Sequence, residues 1–378
     1  MLRKYIAVLL SLISIVSSAS AFAAQTPFDA GGAKAALLVC ADTGDVVFEK
    51  NADEPIEAAG LKRLAALLAV CRAFDEGRIE PETVVTVSAD AAKQKGATAF
   101  LSANERISAG ELLKAAVMLT AGDAILALLS GIFPQESEAL GAVNRVLEEA
   151  GVAAVASAMG EGRAFTLNEL KAICLGLAES SAFLRYSSSY TDVLRHEKAP
   201  STELVNPNRL VRHYSGCFGL ATGSVGASEY AGAFIARRGG TTFLVLLAGM
   251  PDSGSRARLA SSMLDYGFSA FRTYEAAKAG GLRGSVPVIG GEKARVEAVD
   301  PAPVMLLVPV SSPKLTLEPE LYPSVEAPIR EGDVIGKLII KDASGNILAE
   351  TPIAAKEAVN ASSFGFWFME IIKTWLRL

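Results

Sequence analysis

Histidine is almost missing from this sequence of 378 residues, and its scarcity argues against two kinds of catalytic site. Only His196 and His213 occur, and neither belongs to a cluster of cysteine and histidine with the spacing of metal ligands. A zinc enzyme and a hydrolase built on a Ser-His-Asp triad are therefore both disfavoured. We expect no metal and no cofactor, and we interpret both histidines as structural residues.

Cysteine is scarce as well. Four cysteines are too few to form a disulfide scaffold in a chain of this length. All four lie in apolar stretches, which favours buried thiols: Cys40, Cys71, Cys174 and Cys217. Three disulfide pairings are possible in principle, and the sequence favours none of them.

Positive charge is in deficit. The chain has 36 Lys and Arg against 41 Asp and Glu, which gives a formal net charge of −5. Loss of an N-terminal leader that contains Arg3 and Lys4 would remove two of these cations and leave −7. A protein this acidic is a poor ligand for nucleic acid, so we expect no nucleic-acid partner.

Residues 1–24 have the layout of a signal peptide. Arg3 and Lys4 precede the apolar stretch YIAVLLSLISIVSS, and Ala21-Phe22-Ala23 is a suitable cleavage site. A short transmembrane anchor is the alternative, but the small-residue element that follows directly favours cleavage. We therefore expect the mature protein to be exported.

The last 21 residues, 358–378, predict a tether followed by an amphipathic anchor helix. Polar residues from Glu370 to Arg377 recur at helical spacing and form one narrow stripe. About 15 helical residues span only about 22 Å, which is short of a hydrocarbon core of about 30 Å. We expect the helix to lie in the membrane surface rather than across the membrane, or alternatively to dock on the protein itself. The predicted lipid-facing side chains are Phe366, Trp367, Ile371, Ile372 and Trp375.

Between these ends, the patterns predict a sheet covered by helices and then a small all-β domain. Two strands surround a turn at residues 42–45, two helices meet near Ala121-Gly122, and two apolar strands surround the turn at residues 237–240. Further helical patterns cover residues 136–150, 166–183 and 255–274. Short strand-like runs divided by Gly, Pro and Asp begin near residue 276.

The whole chain resembles the D-alanyl-D-alanine carboxypeptidases, which are low-molecular-mass penicillin-binding proteins. The segments ADTGDVVFEKNADEP and STELVNPNRLVRHYSG resemble those that precede the first and third active-site motifs of the family. The resemblance implies an α/β (α+β) β-lactamase/transpeptidase-like domain, a small all-β domain and a C-terminal amphipathic helix. It divides the chain into residues 1–24, 25–275, 276–357 and 358–378, and implies a place at the outer face of the bacterial cytoplasmic membrane.

The first motif of the family, S-x-x-K, is degenerate in this chain. Its serine attacks the substrate carbonyl, and its lysine, on the same helical face, accepts the proton. Aligned without gaps from Asn51, the serine position holds Gly60 and the base position holds Arg63, which stays protonated and cannot act as a base. A shift of one residue brings Lys62 to the base position but still supplies no hydroxyl.

The second and third motifs, S-x-N and K-T-G, are degenerate too. TAGDA places Thr120 at the serine position and Gly122 at the asparagine position. GLATGS places Ala221 at the lysine position and retains Thr222-Gly223 as substrate-binding positions. The N-P-x-G-L loop of the family is absent, because VAAVASAMGEGRAFTLNEL continues directly into a helix.

These substitutions predict a catalytically inactive member of the family, whose partner is a peptidoglycan stem peptide or another envelope protein. Loss of a catalytic serine alone lowers the rate of a serine hydrolase by about 10⁶. One alternative is an active hydrolase that uses Thr120 or Thr222 as the nucleophile with Lys62 as the base. Another is a scaffold with a closed cleft. We expect the altered positions to line a cleft, and Arg63 to remain a partly buried cation because no lysine at 221 repels it.

The anchor helix makes a testable prediction. Truncation after Ala361 should release a soluble form, since the apolar helix surface supplies the membrane affinity at about 25 cal/mol per Å². Ile372→Glu should weaken attachment, because it places a charge on the apolar face, whereas Thr374→Glu on the polar stripe should have little effect. Membrane fractionation measures both. Equal attachment of the two variants would instead indicate the N-terminal segment as the anchor.

Overall fold

The computed structural model describes residues 28–363, apart from residues 57–58, 198–199, 226–228 and 312–313, and also describes Phe368. The predicted signal peptide and the predicted lipid-facing residues of the anchor helix lie outside the described residues. Within the described part of the chain, no helix combines the length and apolarity needed to cross a membrane. The chain divides into two compact units, with the division between Arg272 and Thr273.

The larger unit is built on an antiparallel sheet in the order β2-β1-β10-β9-β7, with β8 also paired to β9. Its strands are β1 (Ala35–Cys40), β2 (Val46–Lys50), β7 (Cys217–Gly219), β8 (Thr222–Val225), β9 (Glu229–Arg238) and β10 (Thr241–Met250). Two separate two-stranded sheets comprise β3 (Val84–Thr86) with β4 (Arg106–Ser108) and β5 (Thr191–Leu194) with β6 (Thr202–Val205). All six residues of β1 are buried, because both faces of the sheet are covered.

Helices supply most of the core of the larger unit. They are α1 (Leu64–Asp75), α2 (Ala89–Ala92), α3 (Ala109–Leu119), α4 (Gly122–Ile132), α5 (Glu136–Glu149), α6 (Leu167–Glu179), α7 (Ser181–Ser187), α8 (Leu210–His213) and α9 (Ser253–Ala270). Apolar side chains of α1, α3, α4 and α6 join those of β1 and β10 in one buried cluster. The structure thus confirms the predicted sheet covered by helices.

The predicted helix boundaries needed two corrections. The pattern at residues 166–183 is two helices, α6 and α7, which separate at Ser180. The last predicted helix ends at Ala270, because strand β11 begins at Phe271. A 3₁₀ helix, Ala59–Arg63, precedes α1 and contains Lys62 and Arg63.

The smaller unit is an all-β domain, as predicted, and its described residues between Thr273 and Ser363 form no helix. Its main sheet has the order β15-β17-β18-β13-β12-β16, and β11 pairs with β14. Aliphatic side chains such as Val286, Leu338 and Ile353 form its core. The strands are β11 (Phe271–Ala277), β12 (Leu282–Ile289), β13 (Arg295–Val299), β14 (Val304–Pro309), β15 (Thr316–Leu321), β16 (Val325–Glu326), β17 (Val334–Lys341) and β18 (Ile347–Ala355).

Candidate functional site

The three degenerate motifs lie in the 3₁₀ helix Ala59–Arg63, at the break between α3 and α4, and at the start of β8. Gly60 faces β8 closely, since a Cβ atom on Gly60 would lie 3.4 Å from the carbonyl oxygen of Thr222. That separation is an ordinary van der Waals contact. The backbone therefore retains room for a Cβ at the nucleophile position, although no nucleophile is present.

Arg63, at the general-base position, is buried and hydrogen-bonded to backbone rather than directed toward solvent. Only 9% of the residue is exposed. Its Nη2 donates to the carbonyl oxygen of Lys95 at 2.6 Å, and its Nη1 donates to those of Ala97 at 3.2 Å and Thr120 at 3.4 Å. The guanidinium thus connects the 3₁₀ helix, the loop that follows α2 and the end of α3.

Gly122, at the asparagine position, leaves the space that this guanidinium occupies. A Cβ atom on Gly122 would lie 2.8 Å from Cζ and 2.8 Å from Nη1 of Arg63. The guanidinium is the end of a flexible side chain, but displacing it would stretch or break its hydrogen bonds to three carbonyls. The arginine at 63 and the missing side chain at 122 are therefore a sterically matched pair.

The electrostatic environment of Arg63 does not produce a base. Burial lowers the pKa of its guanidinium, while the nearby carboxylates of Glu161 and Asp123 raise it. An arginine retains its proton at neutral pH even when its pKa is lowered, because its unperturbed value lies so high. Arg63 consequently donates hydrogen bonds and accepts no proton.

Asp123 is the second buried charged group beside the break between α3 and α4. Both of its carboxylate oxygens accept from the amide of Ala99 at 2.9 Å, and Oδ2 also accepts from the amide of Leu101 at 3.2 Å. Arg63 therefore binds carbonyls of the same loop whose amides bind Asp123. We call residues 95–101 the clamped loop.

The alternative catalytic groups are not arranged as a reactive pair. Thr120 is 3% exposed and has a left-handed backbone with φ of 52°, and Thr222 is 8% exposed. Among the described residues, no hydrogen bond connects Lys62 Nζ with either hydroxyl. Four of the altered positions are buried: Arg63, Thr120, Gly122 and Ala221. That the altered positions line a cleft stays a prediction.

The segment that stands where the family has its N-P-x-G-L loop packs against the 3₁₀ helix. Gly160 has a φ of +70°, and a Cβ atom there would lie 2.5 Å from the carbonyl oxygen of Lys62. Only glycine permits both this backbone conformation and this close approach. This segment covers the 3₁₀ helix on the side of Lys62.

Arg256, near the start of α9, is a site residue that sequence reasoning missed. Its Nη1 donates to the carbonyl oxygens of Gly223 and Ala231, each at 3.1 Å, and its Nε is buried without a partner among the described residues. Burial lowers the pKa of Arg256 to about 10, so it is cationic at neutral pH. One feature of the sequence could have identified Arg256: it is a cation in the first turns of a helix, where the helix macrodipole disfavours positive charge.

The four cysteines and His196 are enclosed within the protein, whereas His213 is exposed. All four cysteines are free and buried, as expected. His196 is enclosed, with Nδ1 2.5 Å from Oε1 of Glu105 and Nε2 2.9 Å from Oγ1 of Thr202. In the part of the chain that the structure describes, no group of three potential metal ligands occurs.

Known proteins match this chain over nearly its whole length. Residues 20–231 match the D-alanyl-D-alanine carboxypeptidase family, and residues 271–361 match the C-terminal domain of penicillin-binding protein 5. The D-alanyl-D-alanine carboxypeptidase DacF of Bacillus subtilis is 26% identical over 388 residues, which covers 100% of both chains.

Two solved structures show the same fold. Penicillin binding protein 5 from Haemophilus influenzae superposes with a TM-score of 0.81 at 19% identity, covering 89% of this chain and 100% of that one. A peptidoglycan synthesis regulatory factor, PBP3 from Streptococcus pneumoniae, superposes with a TM-score of 0.67 at 20% identity. That match covers 87% of this chain and 99% of the other.

The contact between Arg63 and Gly122 predicts a non-additive pair of substitutions. Gly122→Ala should destabilise the protein by about 1–2 kcal/mol, because the new methyl group overlaps the guanidinium. In an Arg63→Ala background the same change should be neutral or stabilising by up to about 1 kcal/mol, since alanine is the better helix former. Chemical denaturation of the four proteins of this cycle gives the coupling energy.

Gly141→Ala is the matched control, because no atom lies within 4 Å of the Cβ it would add. It should stabilise helix α5 equally in both backgrounds. Identical effects of Gly122→Ala with and without Arg63 would show that the guanidinium does not fill the space beside residue 122.

Proposed function

The chain belongs to the D-alanyl-D-alanine carboxypeptidase family, and we propose that it is an exported, membrane-associated member that has lost catalysis and binds peptidoglycan stem peptides. The observation that carries this proposal is the buried guanidinium of Arg63. It takes the place of the general base and fills the space beside Gly122, where the family has an asparagine side chain. A group held by three carbonyls in this way has a structural role.

At the nucleophile, base and third-motif lysine positions, the aligned residues supply none of the side chains that the family mechanism needs. Acylation needs a nucleophile, and Gly60 has no side chain. It also needs a proton acceptor, and the permanently charged Arg63 is a donor. Ala221 supplies no positive charge beside the substrate. The nucleophile, the base and the positive charge all serve the same acylation reaction, so their losses do not add independently. The acylation rate should therefore not exceed that of a family member that lacks only the serine.

Peptide binding has more support than catalysis. Among the described strands, β8 pairs only with β9, which leaves its other edge toward the 3₁₀ helix. An extended peptide can add to such an edge through its backbone groups. Arg256 donates to the carbonyls of Gly223 in β8 and Ala231 in β9, and supplies a buried positive charge next to β8. A peptide that ends in a carboxylate is the matching ligand.

The first test is acylation by penicillin. We expect no covalent adduct in the intact mass spectrum, because no nucleophile and base are paired. Gly60→Ser alone should also fail to react, since Arg63 would still occupy the base position. Restoring reactivity should need Arg63→Lys, Gly122→Asn and Ala221→Lys in addition. A stoichiometric adduct on the unmodified protein would refute the proposal and support Thr120 or Thr222 with Lys62.

The second test is binding of an acylated peptide ending in D-Ala-D-Ala, measured by calorimetry. Arg256→Gln should weaken binding by about tenfold to a hundredfold, because a hydrogen-bonded ion pair contributes about 1.5–3 kcal/mol. The C-terminal amide of the same peptide should bind weakly to both proteins. Arg258→Gln, an exposed arginine on the same helix, is the control and should leave affinity unchanged.

Circular dichroism of both variants establishes that the fold is retained. If the unmodified protein binds neither the acid nor the amide, stem-peptide binding is wrong. The interpretation as a module that binds another envelope protein then takes its place.

A further inference from the structure

Phe100, in the clamped loop, is a large aromatic side chain held out in solvent. It is 78% exposed, whereas its neighbours Ala99 and Leu101 are both buried. Its φ of 59° lies in the left-handed region, which is unfavourable for a bulky residue. Such strain persists where the surrounding structure imposes it, and it concentrates at functional sites.

The clamped loop is held at both of its ends. Asp123 accepts from the amides on either side of Phe100, and Arg63 donates to the carbonyls of Lys95 and Ala97. Farther along, the amide of Ser102 donates to Glu105, whose other carboxylate oxygen contacts His196. Because the backbone is already ordered, a ligand at Phe100 would not have to order it on binding.

The clamped loop and β8 flank the same short element. Gly60 of the 3₁₀ helix approaches the carbonyl of Thr222, and Arg63 of that helix binds the loop. A 3₁₀ helix rises about 2 Å per residue, so these two contacts lie within about 10 Å along its axis. The clamped loop and β8 therefore contact the same 3₁₀ helix, close enough for one ligand longer than a dipeptide to reach both.

Cationic side chains lie close to Phe100 in the chain. Lys93, Lys95 and Arg106 are all exposed within seven residues of it, in a chain whose net charge is −5. Lys93 makes one long ion pair, 4.0 Å from its Nζ to Oδ1 of Asp90. This surface matches a ligand that combines carboxylates with a flat apolar face.

We infer that Phe100 is a stacking platform for the sugar portion of a muropeptide whose stem peptide lies along β8. This inference rests on the proposed function and specifies its ligand. The apolar face of a pyranose ring packs on an aromatic ring, and the ammonium groups of Lys93 and Lys95 neutralise carboxylates near the junction of sugar and peptide. The groups at positions 63 and 123 act as positioning residues for this platform.

The test compares two probes by calorimetry: a disaccharide pentapeptide ending in D-Ala-D-Ala, and the same pentapeptide without sugar. The unmodified protein should bind the first about tenfold more tightly, as expected for one aromatic stacking contact. Phe100→Ala should abolish this ratio and leave the affinity for the bare peptide unchanged. Phe100→Trp should preserve the ratio, and Val84→Ala, another exposed apolar position, should change neither affinity.

The outcomes separate this inference from the proposed function. Equal affinity of the unmodified protein for the two probes would overturn the stacking role while leaving peptide binding intact. An equal loss for both probes in Phe100→Ala would show that Phe100 contacts the peptide, which also overturns the sugar assignment. Binding of neither probe would overturn the proposed function and this inference together.

Discussion

The buried guanidinium of Arg63 is the interaction on which the rest of the site depends. Removing an ion from water costs several kcal/mol, and hydrogen bonds from a charged group contribute about 1.5–3 kcal/mol each. Three carbonyl acceptors can therefore offset that cost, but only while all three remain in place. Those acceptors belong to the loop after α2 and to the end of α3. The side chain of Arg63 therefore holds both segments in place against the 3₁₀ helix.

This constraint explains why the substitutions form a set. Lysine and arginine carry the same charge, but the larger planar guanidinium needs more room and more acceptors than an ammonium group. The room comes from Gly122, and the acceptors are backbone carbonyls. Replacing Arg63 with the lysine of the family motif, without a second change, would leave a gap beside Gly122. Replacing Gly122 alone with asparagine would cause a clash with Arg63. The fold of the family is retained, and Arg63 and Gly122 form a matched structural contact within it.

Local sequence patterns predicted the elements well and their ends less well. The alternation of strands and helices in residues 25–275 and the all-β pattern after residue 276 required only hydrophobic periodicity and turn residues. The continuous helix over residues 166–183 was wrong, because Asp75 of α1 binds the Ser180 hydroxyl at 2.5 Å and the amide of Ala182 at 2.9 Å. Such contacts span more than 100 residues, so no local pattern contains them.

The sequence by itself determined the chemistry available at the positions aligned with the family motifs, since glycine at 60 has no side chain and arginine at 63 has no basic form at neutral pH. Only the tertiary structure decided what the replacements do. It directed Arg63 inward to carbonyls more than 30 residues away, brought Arg256 to the strand that contains Gly223, and turned Phe100 outward between two buried neighbours. The physical reason is that residue identity defines the chemistry a side chain can perform. Its hydrogen-bond partners and exposure depend on the packing of segments distant in the chain.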